Sequence, residues 1–273
     1  MHDLVVFLDQ IIPASDAKAS SISNQFLYGK GIFSTVAIYD SEPFLFEKHW
    51  ARLSANAAKT GIDLAEFSDS RVKRSLIELI GKNHVVNGKA RITFFDGSVN
   101  RIWNNEEVNP DTGILIQTAK PNPKVHNISL SVSPFPVNSR SPLAGVKSCN
   151  YLENLLAIEN AKASGFDEAV RLNERGSVTS ACMANVFWAK DKELFTPDLK
   201  TGCLPGTTRE LILERYDVKE IEAGVESLLK ADQIFLTSAG IGIVQVGKLE
   251  NRQLDPALHP LTELINKELS AIR

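Results

Sequence analysis

Hydrophobic and polar positions along this 273-residue chain change period several times. "FSTVAIYDSEPFLF" holds two β-rich runs parted by Asp40-Ser41-Glu42-Pro43, a turn signal, and predicts a hairpin. "EKHWARLSANAAKTGI" repeats at helical spacing, with Trp50, Leu53 and Ala57 on one stripe and Gly61 placed to close it. A second helix is predicted near "SRVKRSLIELIGKN", then strands at "GKARITFFDG" and "GILIQTAK". Pro121 and Pro123 in "AKPNPKVHN" break the pattern. They divide the chain into a small N-terminal α+β domain (1–120), a linker (121–128) and a larger C-terminal α+β domain (129–273).

Beyond the linker, "ISLSVSPFPV" alternates as a strand and "NYLENLLAIENAKASGF" reads as a helix ended by Gly165. "DEAVRLN", "SVTSACMANVFWAK" and "ELFTP" read as strands, the last two joined by a tight turn at Asp191-Lys192. A helix over "LPGTTRELILERY", a strand at "QIFLTSAGIGIVQV" and a final helix from about Pro260 complete the pattern. Neither half shows regular βαβ alternation. The expected fold is two α+β lobes with a small-molecule cleft between them.

Composition narrows the partners. Apolar residues at 43% and charged residues at 23% describe a globular protein. A net charge of −3 offers no basic surface to nucleic acid or anionic lipid. The N-terminal segment carries Asp3 and Asp9 around a short apolar run and does not read as a signal peptide. No apolar run has the length of a membrane span. Cys149, Cys182 and Cys203 form no C-x-x-C pair, and the five histidines (His2, His49, His84, His126, His259) are scattered. The expectation is a cytoplasmic protein with no metal, nucleic-acid or membrane partner.

Three stretches could carry chemistry. Lys147 in "GVKSCNYLENLLA" precedes an apolar helix; desolvated there, its amine would be nucleophilic. On composition alone, the commoner outcome is a lysine at a helix edge with its ammonium in water. Arg52 lies away from most of the apolar stripe of its helix, where it either solvates a surface or forms a phosphate fork. In "LPGTTRELILERY", Thr207 and Glu210 have capping-box spacing. Gly206 and the helix start could equally bring backbone N–H groups to an anion. "YGKGIF" lacks the third glycine of a dinucleotide fingerprint, because Ser34 stands there, and reads as a turn entering a strand.

The order of these stretches resembles one family, the fold-type IV pyridoxal-phosphate enzymes or class IV aminotransferases. It includes branched-chain and D-amino-acid aminotransferases and 4-amino-4-deoxychorismate lyases. "YGKGIFSTVAIYDSEPFLFEKHWARL", "GVKSCNYLENLLAIENAKASGFDEAVRLN", "GSVTSACMANVFWAKDKELFTPDLKTGCLPGTTRE" and "FLTSAGIGIVQV" carry the resemblance across nearly the whole chain. It implies a homodimer with a D-amino-acid-aminotransferase-like fold and pyridoxal 5′-phosphate at the interlobe cleft. By the resemblance, Lys147 is the Schiff-base lysine and proton shuttle, carried by the C-terminal domain. Arg52, Thr207 and Thr208 hold the cofactor phosphate, with Ser238 and Ala239 as a second backbone loop there. Tyr151 reaches the phenolic oxygen, and Asn185 matches an asparagine typical of the family.

One position departs. The family usually reads V-T-E where this chain has Val178-Thr179-Ser180. That glutamate pairs with the pyridine nitrogen; a serine hydroxyl at the cofactor-binding position Ser180 only hydrogen-bonds. A less protonated ring is a poorer electron sink. Elimination to an aromatic product needs that sink less than amino transfer does. The expected activity is thus the lyase reaction of folate biosynthesis, releasing pyruvate and 4-aminobenzoate from a small amino substrate. The alternatives are an aminotransferase of branched-chain or D-amino acids, a second carboxylate such as Glu174 taking the missing role, and a non-catalytic cofactor-binding relative. Arg91, Arg101 and Arg140 are candidates to hold an acidic substrate.

Overall fold

A computed structural model of the chain describes residues 1–99, 111–123 and 125–255. Arg101 and the expected helix from Pro260 lie outside them. The chain divides into two compact units.

The first unit comprises the described part of Met1–Asn122 with Val146–Asn150. Its strands are β1 (Leu4–Phe7), β2 (Gln10–Pro13), β3 (Gly31–Tyr39), β4 (Glu42–Pro43), β5 (Gly88–Asp96) and β6 (Thr112–Ala119). They form one sheet in the order β2-β1-β6-β5-β3-β4. Helices α1 (Asn24–Tyr28), α2 (Phe46–Thr60) and α3 (Asp69–Lys82) accompany it. Every second residue of β3 meets the helices: Ile32, Val36 and Ile38 pack with Phe46, Leu53 and Ala57 of α2 and Val72, Leu76 and Leu79 of α3. The predicted hairpin turn is present at Asp40-Ser41, both at positive φ. Its second strand is only two residues long, because α2 begins at Phe46.

β5 takes one edge of β3 along Gly31–Ile38, and β4 takes the other edge only at Ile38 and Tyr39. The open edge at the start of β3 is filled by residues 147–149. Phe33 N–H donates to the Lys147 carbonyl at 2.9 Å, and Cys149 N–H donates to the Gly31 carbonyl at 2.8 Å. Gly29 closes α1 at φ 64°, and a Cβ there would lie 2.7 Å from Asn150 Oδ1. Asn150 Nδ2 donates back to the Gly29 carbonyl. These bonds place Lys147 in the first unit, whereas the expected division carried it in the C-terminal domain.

The second unit comprises Pro123–Gly145 with the described chain from Tyr151 onward. It contains β7 (Ile128–Val132), α4 (Leu152–Ala163), β8 (Glu168–Leu172), β9 (Val178–Ala181), β10 (Asn185–Lys190), β11 (Glu193–Pro197), α5 (Thr207–Arg215), β12 (Val218–Ile221), α6 (Val225–Leu229), β13 (Gln233–Ser238), β14 (Gly242–Leu249) and β15 (Arg252–Gln253). The mixed sheet runs β12-β11-β10-β13-β14-β7-β8-β9, with β15 beside β14. Its apolar core includes Val170, Val186, Trp188, Leu236, Val244 and Val246.

Two expected single strands are each a pair. "SVTSACMANVFWAK" bends between β9 and β10, where buried Glu168 accepts N–H bonds from Cys182 and Met183. "QIFLTSAGIGIVQV" turns back at residues 239–241, pairing Ser238 with Gly242. Among the described residues no helix is long and apolar enough to cross a membrane, and no cluster of His, Cys, Asp or Glu is placed to hold a metal ion. The three cysteines are free thiols.

Candidate functional site

In the first unit, a group of cations gathers around the start of β3. Lys147 Nζ lies 4.5 Å from the Phe33 ring centroid, and the Arg91 guanidinium carbon lies 3.6 Å from the same centroid. Arg91 Nε also donates to Thr93 Oγ1 at 3.2 Å. Burial, then the positive charges of Arg52 and Arg91, push the Lys147 amine down to about 7. Two of the three forces that shift a titration point act here in one direction. The amine is therefore substantially neutral near neutral pH, unlike an ammonium at a helix edge.

Arg52 is not a solvated arginine. Its Nη2 donates to Ser34 Oγ at 2.7 Å, and that oxygen also lies 2.7 Å from His49 Nδ1. His49 and Arg52 stand three residues apart on α2 and so share one side of it. Ser34 belongs to the β3 positions that face α2. Sequence reasoning counted His49 only as one scattered histidine. Its signal was its place in the buried stripe of α2, between Phe46 and Leu53.

In the second unit, α5 starts at Thr207 with Gly206 as its N-cap and no side-chain cap bond. The capping box expected from Thr207 and Glu210 does not form, because Thr207 is already helical and glycine has no side chain to offer. First-turn N–H groups have no intrahelical acceptor. Thr207 and Thr208 are both buried there. Asn185 Nδ2 holds the Leu204 carbonyl at 2.8 Å, and a Cβ on Gly206 would sit 2.0 Å from Asn185 Oδ1. Asn185 pairs across the sheet with Thr237, whose fully buried hydroxyl has no hydrogen-bond partner among the described residues. Ser238 ends β13, and Ala239 begins the turn into β14.

Tyr151 caps α4. Ser180 stands directly opposite Arg171 in the β8–β9 pair. Arg171 is buried, donating to Asn154 Oδ1 at 2.8 Å, with the exposed Glu153 carboxylate 3.5 Å away. Glu174 is committed elsewhere. It accepts from Ser139 N–H at 2.9 Å and Ser139 Oγ at 2.7 Å, and these bonds, with Arg175 beside it, hold its carboxyl down to about 2. Arg140 is exposed.

The family model described as amino-transferase class IV matches residues 31–249. The chain belongs to this family. Aminodeoxychorismate lyase of Bacillus subtilis (strain 168) is 28% identical over 93% of this chain and 90% of its own length. D-alanine aminotransferase of Bacillus licheniformis is 26% identical over 97% of this chain and 95% of its own. The crystal structure of branched-chain amino acid aminotransferase from Escherichia coli matches with a TM-score of 0.91 and 25% identity, covering 99% of this chain and 94% of that one. The α+β architecture of this class IV member is that of fold-type IV enzymes.

Proposed function

We propose that this class IV enzyme is a cytoplasmic homodimer that uses pyridoxal 5′-phosphate to split 4-amino-4-deoxychorismate into pyruvate and 4-aminobenzoate. Lys147 would bind the cofactor through its amine, and Arg52, the first turn of α5 with Thr207 and Thr208, and the Ser238–Ala239 turn would hold its phosphate. Tyr151 would meet the phenolic oxygen and Ser180 the ring nitrogen. Two features support the fit. The Thr237 hydroxyl is a buried polar atom lacking a partner among the described residues beside the Asn185 tie, and Gly206 leaves room for the Asn185 side chain that holds the Leu204 carbonyl just before the helix start.

The bound cofactor supplies an electron sink for the substrate carbon that loses a proton. Lys147 Nζ, released when the substrate's amino group takes its place and neutral near pH 7, then takes that proton as general base. Loss of the ring proton and departure of pyruvate leave the aromatic product. Arg91, held over Phe33, would face a substrate carboxylate.

The observation that carries the lyase reading is Ser180 opposite buried Arg171. A hydroxyl in place of a carboxylate and a guanidinium across the strand pair both disfavour a protonated ring nitrogen. That suits an elimination driven by aromatisation better than amino transfer. Amino transfer between an amino acid and a 2-oxo acid is the second reading, and Tyr151 favours it because it matches the tyrosine of branched-chain enzymes. The test is release of pyruvate and 4-aminobenzoate from aminodeoxychorismate, assayed beside amino transfer from leucine, glutamate and D-alanine. Transfer without lyase product would reverse the order of the two readings.

A further inference from the structure

Ser34 Oγ has two hydrogen-bond partners among the described residues, Arg52 Nη2 and His49 Nδ1. A guanidinium only donates, so the serine oxygen accepts from Arg52. Ser34 and His49 are both buried, and a buried hydroxyl proton without an acceptor is costly. The Ser34 proton therefore goes to His49 Nδ1. His49 must then carry its own proton on Nε2 and stay neutral. Burial, then the charges of Arg52 and Lys147, hold the imidazole well below its ordinary value.

We propose that Ser34 and His49 are positioning residues for Arg52: the one-way chain Arg52 to Ser34 to His49 fixes the guanidinium that grips the ligand phosphate. An unrestrained arginine samples many rotamers, and ordering it on binding costs affinity. A bond to a strand residue orders it beforehand. The chain runs one way only, because the guanidinium has no lone pair with which to accept and the serine proton is directed to the imidazole nitrogen. The inference rests on the assignment of the phosphate to Arg52 made above.

Equilibrium dialysis of cofactor-stripped protein against pyridoxal 5′-phosphate and against pyridoxal separates the two claims. Ser34→Ala and His49→Leu are expected to weaken the phosphorylated ligand about tenfold and leave pyridoxal unchanged. His49→Asn, whose Oδ1 can accept the serine proton, restores most of the affinity. Adding Ser34→Ala to Arg52→Ala has no further effect, because the serine acts through the arginine. If Arg52→Ala leaves phosphate-dependent affinity intact, the assignment of the phosphate fails. If Arg52→Ala weakens it but Ser34→Ala does not, the positioning role alone fails. Nitrogen-15 NMR of the native protein supplies a reading that needs no variant: His49 protonated on Nε2 is expected, and protonation on Nδ1 overturns the chain.

Discussion

Lys147 and Phe33 meet twice. The Lys147 carbonyl accepts the Phe33 N–H at 2.9 Å, and Lys147 Nζ lies 4.5 Å from the Phe33 ring centroid. The backbone bond fixes where the lysine stands, and the ring forms one wall of its desolvated surroundings. With Arg91 over the same ring, the site disfavours an ammonium and favours a free amine.

A pH dependence follows, with its sign. The Lys147 titration point falls from 10.5 to about 7, so the neutral fraction grows as pH rises through about 7. The rate at which stripped protein takes up pyridoxal 5′-phosphate should climb through that range and level off above it. Arg91→Gln removes one of the positive charges and moves the midpoint upward. A rate still climbing near pH 10 contradicts the desolvated site.

Gly206→Ala would drive a Cβ against Asn185 Oδ1 and disturb the bond to the Leu204 carbonyl. The expected loss is about 1–3 kcal/mol of stability, seen as a lowered melting temperature, together with weaker cofactor binding. A variant as stable and as tightly bound as the native protein shows that the turn does not depend on this contact.

Ser180→Glu restores a carboxylate opposite Arg171. The bound cofactor should then show a changed absorption spectrum, and the ratio of amino transfer to lyase product should rise. An unchanged spectrum with both activities unaltered removes Ser180 from the ring-nitrogen role.

Phe26 and Leu152, 68% and 65% exposed, are large apolar side chains left open to solvent at α1 and α4. Sedimentation at micromolar concentration should show a species of twice the 30.0 kDa chain mass. Phe26→Glu should shift it toward the monomer. A native protein that sediments as a monomer rules out the homodimer.

Much of this fold was legible because its signals are local. Gly61 and Gly165, the Asp191-Lys192 turn and the period of α2 and α3 each act within a few residues. The hidden features are non-local. Nothing near Lys147 announces that β3 has an open edge, which only the pairing of β5 and β4 leaves. The turns within "SVTSACMANVFWAK" and "QIFLTSAGIGIVQV" use small and apolar residues, and the first depends on the carboxylate of Glu168 from another strand. Thr207 and Glu210 have the spacing of a capping box, yet the helix starts one residue too early for it. The spacing of α2 alone left Arg52 open between a solvated surface and a phosphate fork, because Ser34, its partner, is eighteen residues away on a strand.

The central claim is that Lys147 is the cofactor lysine. Borohydride reduction of the yellow protein, followed by peptide mapping, tests it directly. The account predicts loss of the visible band and a single phosphopyridoxyl group on Lys147. Finding that group on any other lysine contradicts it.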